Sequence, residues 1–260
     1  MILNFYKYQG TGNDFVMIDN REAIFDKSKV EMIQKLCNRK FGIGADGLIL
    51  IEKHSSLDFT MIYFNADGSQ SFCGNGSRCA VSFAKFLGII SDKAAFLSTD
   101  GEHEAWIDEN GEVGLKMHDV SNVESGVNYS FLNTGSPHYI VEVDDITPIN
   151  VVEEGRKIRY NSRFKNSGTN VNFVCYKNDL IYIRTYERGV EDETLSCGTG
   201  VTAAAINHAL KNNISEGTTT LLTSGGKLQV KFKQNQKGEF TDIWLIGQAE
   251  QVYTGTISLK

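Results

Sequence analysis

The sequence lacks the marks of several large protein classes, and each lack removes one of them. Lys and Arg number 26 against 32 Asp and Glu, giving a net charge of −6, and the basic residues do not cluster. That excludes a nucleic-acid surface as the main business of the chain. No apolar run reaches about 18 residues, so no transmembrane helix and no membrane partner are expected. The opening residues, Met1-Ile-Leu-Asn-Phe-Tyr-Lys7, lack a signal-peptide layout, which leads us to expect a cytoplasmic protein. Cysteine is scarce as well. The five cysteines are an odd, scattered set, as reduced thiols are, and no Cys-X-X-Cys occurs. Zinc ligands usually come in close Cys pairs, but Cys73 and Cys79 have five residues between them and Cys197 has no near partner. No metal is expected. Gly-Lys-Ser/Thr and Gly-X-Gly-X-X-Gly are both missing, so the common phosphate and dinucleotide cradles are excluded. No lysine stands in a context that suggests a Schiff base to pyridoxal phosphate. We therefore expect no cofactor.

Against these absences one stretch stands out, Tyr186–Ala205. A β-prone run, Leu180–Tyr186, leads through an acidic turn to Cys197-Gly-Thr-Gly, and an Ala-rich helix pattern continues to about Leu210. Cys197 thus falls at a helix N-terminus, where free amides and the positive end of the helix dipole favour a thiolate and suit a neighbouring anion. Gly198 and Gly200 let the backbone come close to whatever binds.

The same device occurs earlier. Cys73-Gly-Asn-Gly-Ser-Arg-Cys79 follows the β-prone run Phe59–Phe64 and opens a helix pattern through Leu87, 124 positions before its counterpart (197 − 73). Gly12–Val16 and Gly135–Tyr139 repeat at 123 (135 − 12), and Gly44–Leu48 and Gly168–Asn172 at 124 (168 − 44). Three Gly/Asn-rich turns in one order, twice, indicate two homologous halves, each supplying one cysteine at a helix start. At 260 residues there is length for two domains with their own cores.

Strand and helix patterns follow that division. The first half shows strands at Leu3–Tyr8, Asp14–Asp19, Leu48–Glu52, Asp58–Asn65, Ala94–Ser98, Glu102–Ile107 and Val113–Met117, with helices at Val30–Asn38 and Asn75–Leu87. The polar segment Asn122–Tyr129 reads as the linker. The second half shows strands at Tyr139–Val143, Asn170–Lys177, Leu180–Tyr186, Thr218–Leu222, Gly226–Phe232 and Phe240–Ile246, with helices at Ile149–Ile158 and after Cys197. Glu250–Leu259 is one strand more than the repeat requires, and we expect it to return to the first half. The expected class is α/β (α+β), with residues 1–118 plus 248–260 in one domain and 119–247 in the other. One central helix per half, among many strands, suggests a sheet curled around that helix.

Other candidates are weaker taken singly. A free cysteine is ordinarily a small buried hydrophobe, and Cys37, Cys79 and Cys175 fit that description. His138 lies in a Gly-rich turn, whereas His54, His103, His118 and His208 read as surface or helix-face residues. Glu187 and Arg188 stand together at a strand end, either as a solvated ion pair or with Arg188 clamping a carboxylate. Asn13, Asn65, Asn75 and Asn170 all lie in turns flanking the two cysteines, where Asn also serves backbone geometry. Two other readings stay open: a proline-type racemase on the same fold, and a non-enzymatic dithiol redox protein using Cys73 and Cys197.

Along nearly its whole length the chain resembles diaminopimelate epimerases. The matching pieces are Gly10-Thr-Gly-Asn-Asp-Phe15, Phe41-Gly-Ile-Gly-Ala-Asp-Gly47, Asn65-Ala-Asp-Gly68, Cys73–Cys79, Gly135-Ser-Pro-His138, Asn170-Val171, Glu187-Arg-Gly189 and Glu193–Gly200. The resemblance implies two pseudo-symmetric domains, each a β-barrel-like sheet around a central helix, with substrate in the cleft between them. It implies cofactor-free interconversion of LL- and meso-diaminopimelate, a small-molecule substrate, on the route to lysine and peptidoglycan, and a possible homodimer. Carried over by position, Cys73 and Cys197 are the acid/base pair. Gly74, Asn75, Gly198 and Thr199 serve the reacting carboxylate. Asn13, Asn65, Asn170 and Arg188 hold the distal end, and Glu187 and His138 sit near the reacting centre. Three departures stand out: Ser136 where the family often has Asn, Gly47 where some members carry Gln, and a loop from Asn65 to Cys73 one residue shorter than is common.

Overall fold

The computed structural model describes residues 2–258. The chain divides into two compact units, one running up to Leu115 and resuming at Gly247, the other Lys116–Ile246.

The first unit opens with a hairpin of β1 (Ile2–Gly10) and β2 (Asn13–Asp19). Its two-residue turn, Thr11-Gly12, has both φ angles positive, 55° and 83°. Such a turn matches strand twist but strains a β-branched residue. Thr11 is held there by Arg78, whose Nη2 donates to Thr11 Oγ1 at 2.7 Å. The crossover helix α1 (Val30–Cys37) leads to β3 (Gly47–Glu52), parallel to β2. Next come β4 (Phe59–Asn65), antiparallel to β3, and the helix α2 (Gly74–Phe86). Then β5 (Lys93–Ser98) pairs parallel with β4, and β6 (Gly101–Ile107) and β7 (Glu112–Lys116) follow as a meander.

The second unit repeats this order after a short edge strand, β8 (Val123–Ser125). A hairpin of β9 (Tyr129–Asn133) and β10 (Pro137–Glu142) is followed by a crossover helix α3 (Val151–Arg159) and a parallel β11 (Asn170–Lys177). The antiparallel β12 (Leu180–Glu187) leads through a short β13 (Asp192–Thr194) to the helix α4 (Gly198–Lys211). The closing strands are β14 (Glu216–Thr223), parallel to β12, then β15 (Gly226–Gln234) and β16 (Phe240–Gln248), each antiparallel to the strand before it. Finally β17 (Glu250–Ser258) joins the first unit, pairing antiparallel with β1, as the surplus strand was expected to do. Leu259, the last residue of that expected strand, lies outside the described residues.

Each unit wraps its sheet around one helix. α2 packs against β1, β2, β3, β4, β6 and β17, and α4 against β9, β10, β11, β12, β14 and β15. A helix met by strands on so many sides must be thin and nearly wholly buried. The sequence supplies this with Gly76, Ser77, Ala80 and Ala84 in α2, and with Gly200, Ala203, Ala204 and Ala205 in α4, all buried. Large apolar side chains from helix and sheet fill the remaining space, among them the fully buried Phe59, Phe83 and Phe96. Each contributes about 1.5–3 kcal/mol relative to an exposed position.

Three sequence expectations need correction. Asn122–Tyr129 is no linker: it lies inside the second unit and carries β8 and the start of β9, a hairpin. Its polarity is that of an exposed edge strand, braced by Arg163 on Glu124 at 2.8 Å. The acidic turn ahead of Cys197 contains β13, paired to the end of β12. His103 is not on the surface. It is buried, stacked on Phe72 with ring centroids 4.7 Å apart, and bonded to Asp100 at 2.8 Å. Among the described residues no helix is long and apolar enough to cross a membrane.

Candidate active site

Cys73 and Cys197 occupy equivalent places, each the N-cap of its unit's central helix. Their backbones nearly coincide, with φ −140°, ψ 108° at Cys73 and φ −126°, ψ 108° at Cys197. A free helix end directs amides at each sulfur. At Cys73 one of these is used internally, since Gly76 N–H donates to Sγ at 3.4 Å.

The Cys73 cluster is built on the β1–β2 hairpin. Asn13 Oδ1 accepts from the Cys73 thiol at 3.6 Å and from Asn75 Nδ2 at 3.4 Å. The other end of the Asn13 amide donates to Asp46 Oδ2 at 2.6 Å, which fixes its orientation. Behind Asp46 lies an ionic chain. Arg39 bridges Asp46 and Asp14, and the buried Lys7 pairs with Asp14 at 2.7 Å and donates to the Gly44 carbonyl. Burial would raise the Asp14 carboxyl, but hydrogen bonds from Arg39 and Lys7 hold it at about 2. Asn65, at the end of β4, spends its Nδ2 on Ser69 and Ser71 of its own loop. Gly47 carries no side chain because Tyr63 takes the space: a Cβ there would meet the ring at 2.4 Å and the Phe64 carbonyl at 2.5 Å.

The Cys197 cluster is built on β10, β11 and β12. Thr199 Oγ1 lies 3.5 Å from Cys197 Sγ and 2.8 Å from His138 Nε2. His138 is fully buried, and desolvation drives its imidazole down to about 3, with the hydrogen bond to Asn172 opposing. It is therefore neutral at physiological pH. Glu187 closes β12 and accepts from Thr194 Oγ1 at 2.8 Å. Next to it Arg188 donates from its backbone N–H to Asn170 Oδ1 at 2.9 Å, from Nη1 to Ser167 O at 3.0 Å, and from Nη2 towards Ser136 Oγ at 3.5 Å. Asn170 Nδ2 donates to the same Ser136 hydroxyl at 3.0 Å. So Ser136, Asn170 and Arg188 form one polar group, and Arg188 stays exposed. The serine that departs from the family pattern is part of this group.

His138 gives a pH signature with a definite sign. The unfolded imidazole titrates near 6.5 and the folded one near 3, so between these values the unfolded chain binds more protons. Stability is fully present above about pH 6.5 and falls as the solution is acidified towards pH 3. Between pH 6.5 and 5 the loss from this residue is expected to be about 2 kcal/mol. Urea unfolding at the two pH values should show a smaller drop for His138→Gln than for the unaltered protein. Equal drops would refute it.

Sequence reasoning passed over Arg78, the largest fully buried side chain. Its Nη2 also donates to Asn75 Oδ1 at 3.0 Å, so one arginine ties the hairpin turn to the helix start at Cys73. Desolvation pulls its guanidinium below the usual range. Its place inside the Cys73–Cys79 motif was the available signal. Asn172 was passed over too, read as part of the Gly168–Asn172 repeat and of the strand Asn170–Lys177 with no role of its own. The other cysteines behave as expected. Cys37, Cys79 and Cys175 are buried, and burial pushes the thiols of Cys37, to about 12, and of Cys79 upward, which makes them poor nucleophiles.

A family model described as diaminopimelate epimerase matches residues 5–123 and 130–252. The diaminopimelate epimerase of Flavobacterium psychrophilum is 52% identical over 257 residues, covering 98% of this chain and 100% of that protein. The one from Aquifex aeolicus is 41% identical over 280 residues, with 98% of each covered. Among solved structures, a phenazine biosynthesis protein of the PhzF family from Bacillus anthracis matches with a TM-score of 0.78 at 14% identity, covering all of both chains. A hydroxyproline epimerase from Agrobacterium vitis matches with a TM-score of 0.71 at 15% identity, covering 99% of this chain and 93% of that one. At such identities the structures speak for the fold alone, a sheet-dominated α+β architecture.

Proposed function

We propose how this chain, which belongs to the diaminopimelate epimerase family, performs that family's reaction. It is a diaminopimelate epimerase, an isomerase that interconverts LL- and meso-diaminopimelate for lysine biosynthesis. In our mechanism Cys73 and Cys197 act from opposite faces of one α-carbon. A thiolate on one side removes the α-proton while a thiol on the other delivers one, and the product leaves the two sulfurs with their protonation exchanged. Each acid–base contribution of this kind is typically worth about 10²–10⁴-fold.

The observation that carries this reading is the equivalent placement of the two cysteines as N-caps of the two central helices. As the α-proton leaves, negative charge develops on the substrate carboxylate. Amides of Gly74, Asn75, Gly198 and Thr199, at the two helix starts, are suited to receive it. A helix end supplies about 0.3–2 kcal/mol for a nearby anion, and hydrogen bonds in a water-poor site supply more. Asn13, Asn65, Asn170 and Arg188 are assigned to the distal amino-acid end. Glu187 and His138 are placed near the reacting centre, His138 as a neutral hydrogen-bonding group. Catalysis is taken to need neither metal nor cofactor. We also take the enzyme as cytoplasmic, where its cysteines stay reduced, and as a homodimer like the family it resembles.

The polar group of Ser136, Asn170 and Arg188 favours diaminopimelate over proline, whose side chain offers nothing polar to bind. The test is α-hydrogen exchange in D₂O. Deuterium is expected to enter the α-position of LL- and meso-diaminopimelate and not that of proline. Exchange with proline alone would return the chain to the proline-racemase alternative, and exchange with neither would remove the acid–base reading.

A further inference from the structure

Beneath Cys197 the second unit holds a connected run of buried polar side chains that ends at the sulfur. Asn172 on β11 and Thr185 on β12 face each other in register, and both are buried, as is His138 on β10. Thr185 Oγ1 is 2.9 Å from Asn172 Oδ1, and Asn172 Nδ2 is 3.0 Å from His138 Nδ1. From there the bonds run on through His138 Nε2 to Thr199 Oγ1 and to the Cys197 sulfur. Gly200 makes room for the run, since a Cβ there would sit 2.4 Å from Asn172 Oδ1 and 3.2 Å from His138 Cε1. That explains the second glycine of Cys197-Gly-Thr-Gly200.

The equivalent space under Cys73 is filled differently. Gly76 corresponds to Gly200, and a Cβ on it would meet Ile49 Cδ1 at 3.1 Å and Met61 Cε at 3.4 Å. Buried polar groups in a core are costly unless each finds a partner. Beside Gly76 that place is aliphatic, and the buried polar group of the first unit, Arg78 with Asn75 and Thr11, is joined in another way, so the run from Thr185 to Cys197 calls for a reason of its own.

We propose that Asn172 is a positioning residue that sets the direction of this hydrogen-bond chain towards Cys197. Its Nδ2 donates to His138 Nδ1, so the imidazole carries its proton on Nε2 and donates to Thr199 Oγ1. The Thr199 hydroxyl, already accepting, turns its own proton to the Cys197 sulfur. A donor held there favours the thiolate, so Cys197 receives help from the chain under it. Thr185 holds the far end by occupying Asn172 Oδ1, which keeps the amide from turning over.

This inference rests on the two-cysteine reading for its meaning, but its test needs no substrate. In protein labelled with ¹⁵N-histidine, long-range ¹H–¹⁵N correlation is expected to show His138 with a bare Nδ1 and a protonated Nε2. The opposite tautomer reverses the chain and overturns the proposal. In the full-length Asn172→Leu enzyme, alkylation of Cys197 by iodoacetamide near pH 7 is expected to slow by about tenfold, the size expected for losing a hydrogen bond to a charged group. Peptide mapping of the same molecules should find Cys73 unchanged, and kcat should fall while KM holds. Equal changes at both cysteines, or none at Cys197, overturn the proposal, and if the variant does not fold the tautomer decides alone. Should diaminopimelate prove not to be the substrate, the tautomer and the Cys197 reactivity would be untouched.

Discussion

Cys73→Ser and Cys197→Ser are each expected to lose most net epimerisation, by about 10²-fold or more. A serine hydroxyl is a far weaker base than a thiolate near neutral pH, and the reaction needs both partners to carry a proton through the carbon. Removing the α-hydrogen, in contrast, needs only one base. Residual loss of α-deuterium should therefore favour one stereoisomer in Cys73→Ser and the other in Cys197→Ser. The substitutions are nearly isosteric, and each cysteine caps a helix whose remaining turns are packed, so the fold should persist. One dead variant beside one nearly normal variant would sink the two-thiol mechanism, while leaving the family membership intact.

Arg188→Lys is expected to lower kcat/KM for diaminopimelate by about 10- to 100-fold. The charge survives, but a lysine ammonium cannot offer a carboxylate the two parallel N–H donors of a guanidinium. The loss of a hydrogen bond to a charged partner has that magnitude. The substitution also leaves Ser167 O and Ser136 Oγ without their present guanidinium donors, although the backbone N–H to Asn170 is kept. Arg188 is exposed at the end of β12, so unfolding is not the expected cost. Unchanged steady-state kinetics would return Arg188 to the solvated ion-pair reading. A fall confined to thermal stability would make it a brace for the 167–170 turn.

What the sequence determined by itself was local or periodic. A cysteine followed by Gly-X-Gly and a run of small residues is a helix start whatever surrounds it, and the near-constant offset of 123–124 positions reveals two units because duplication preserves order. The small residues of α2 and α4 likewise announce a helix crowded on many sides. The segment Asn122–Tyr129 was misread for a local reason too: an exposed edge strand has the composition of a linker, and only its pairing with β9 distinguishes them. Long-range partners were decided by tertiary structure alone. Arg78 meets Thr11 across 67 positions because α2 runs beneath the β1–β2 hairpin. His103, read from the sequence as a surface or helix-face residue, stacks on Phe72, 31 positions earlier in the chain, because it lies on the inward face of β6. Asn172 reaches His138 and Thr185 only because β10, β11 and β12 lie side by side in one register. A buried polar side chain is tolerable only opposite a partner, and which residues become partners is set by strand order and register, quantities that no short stretch of sequence contains.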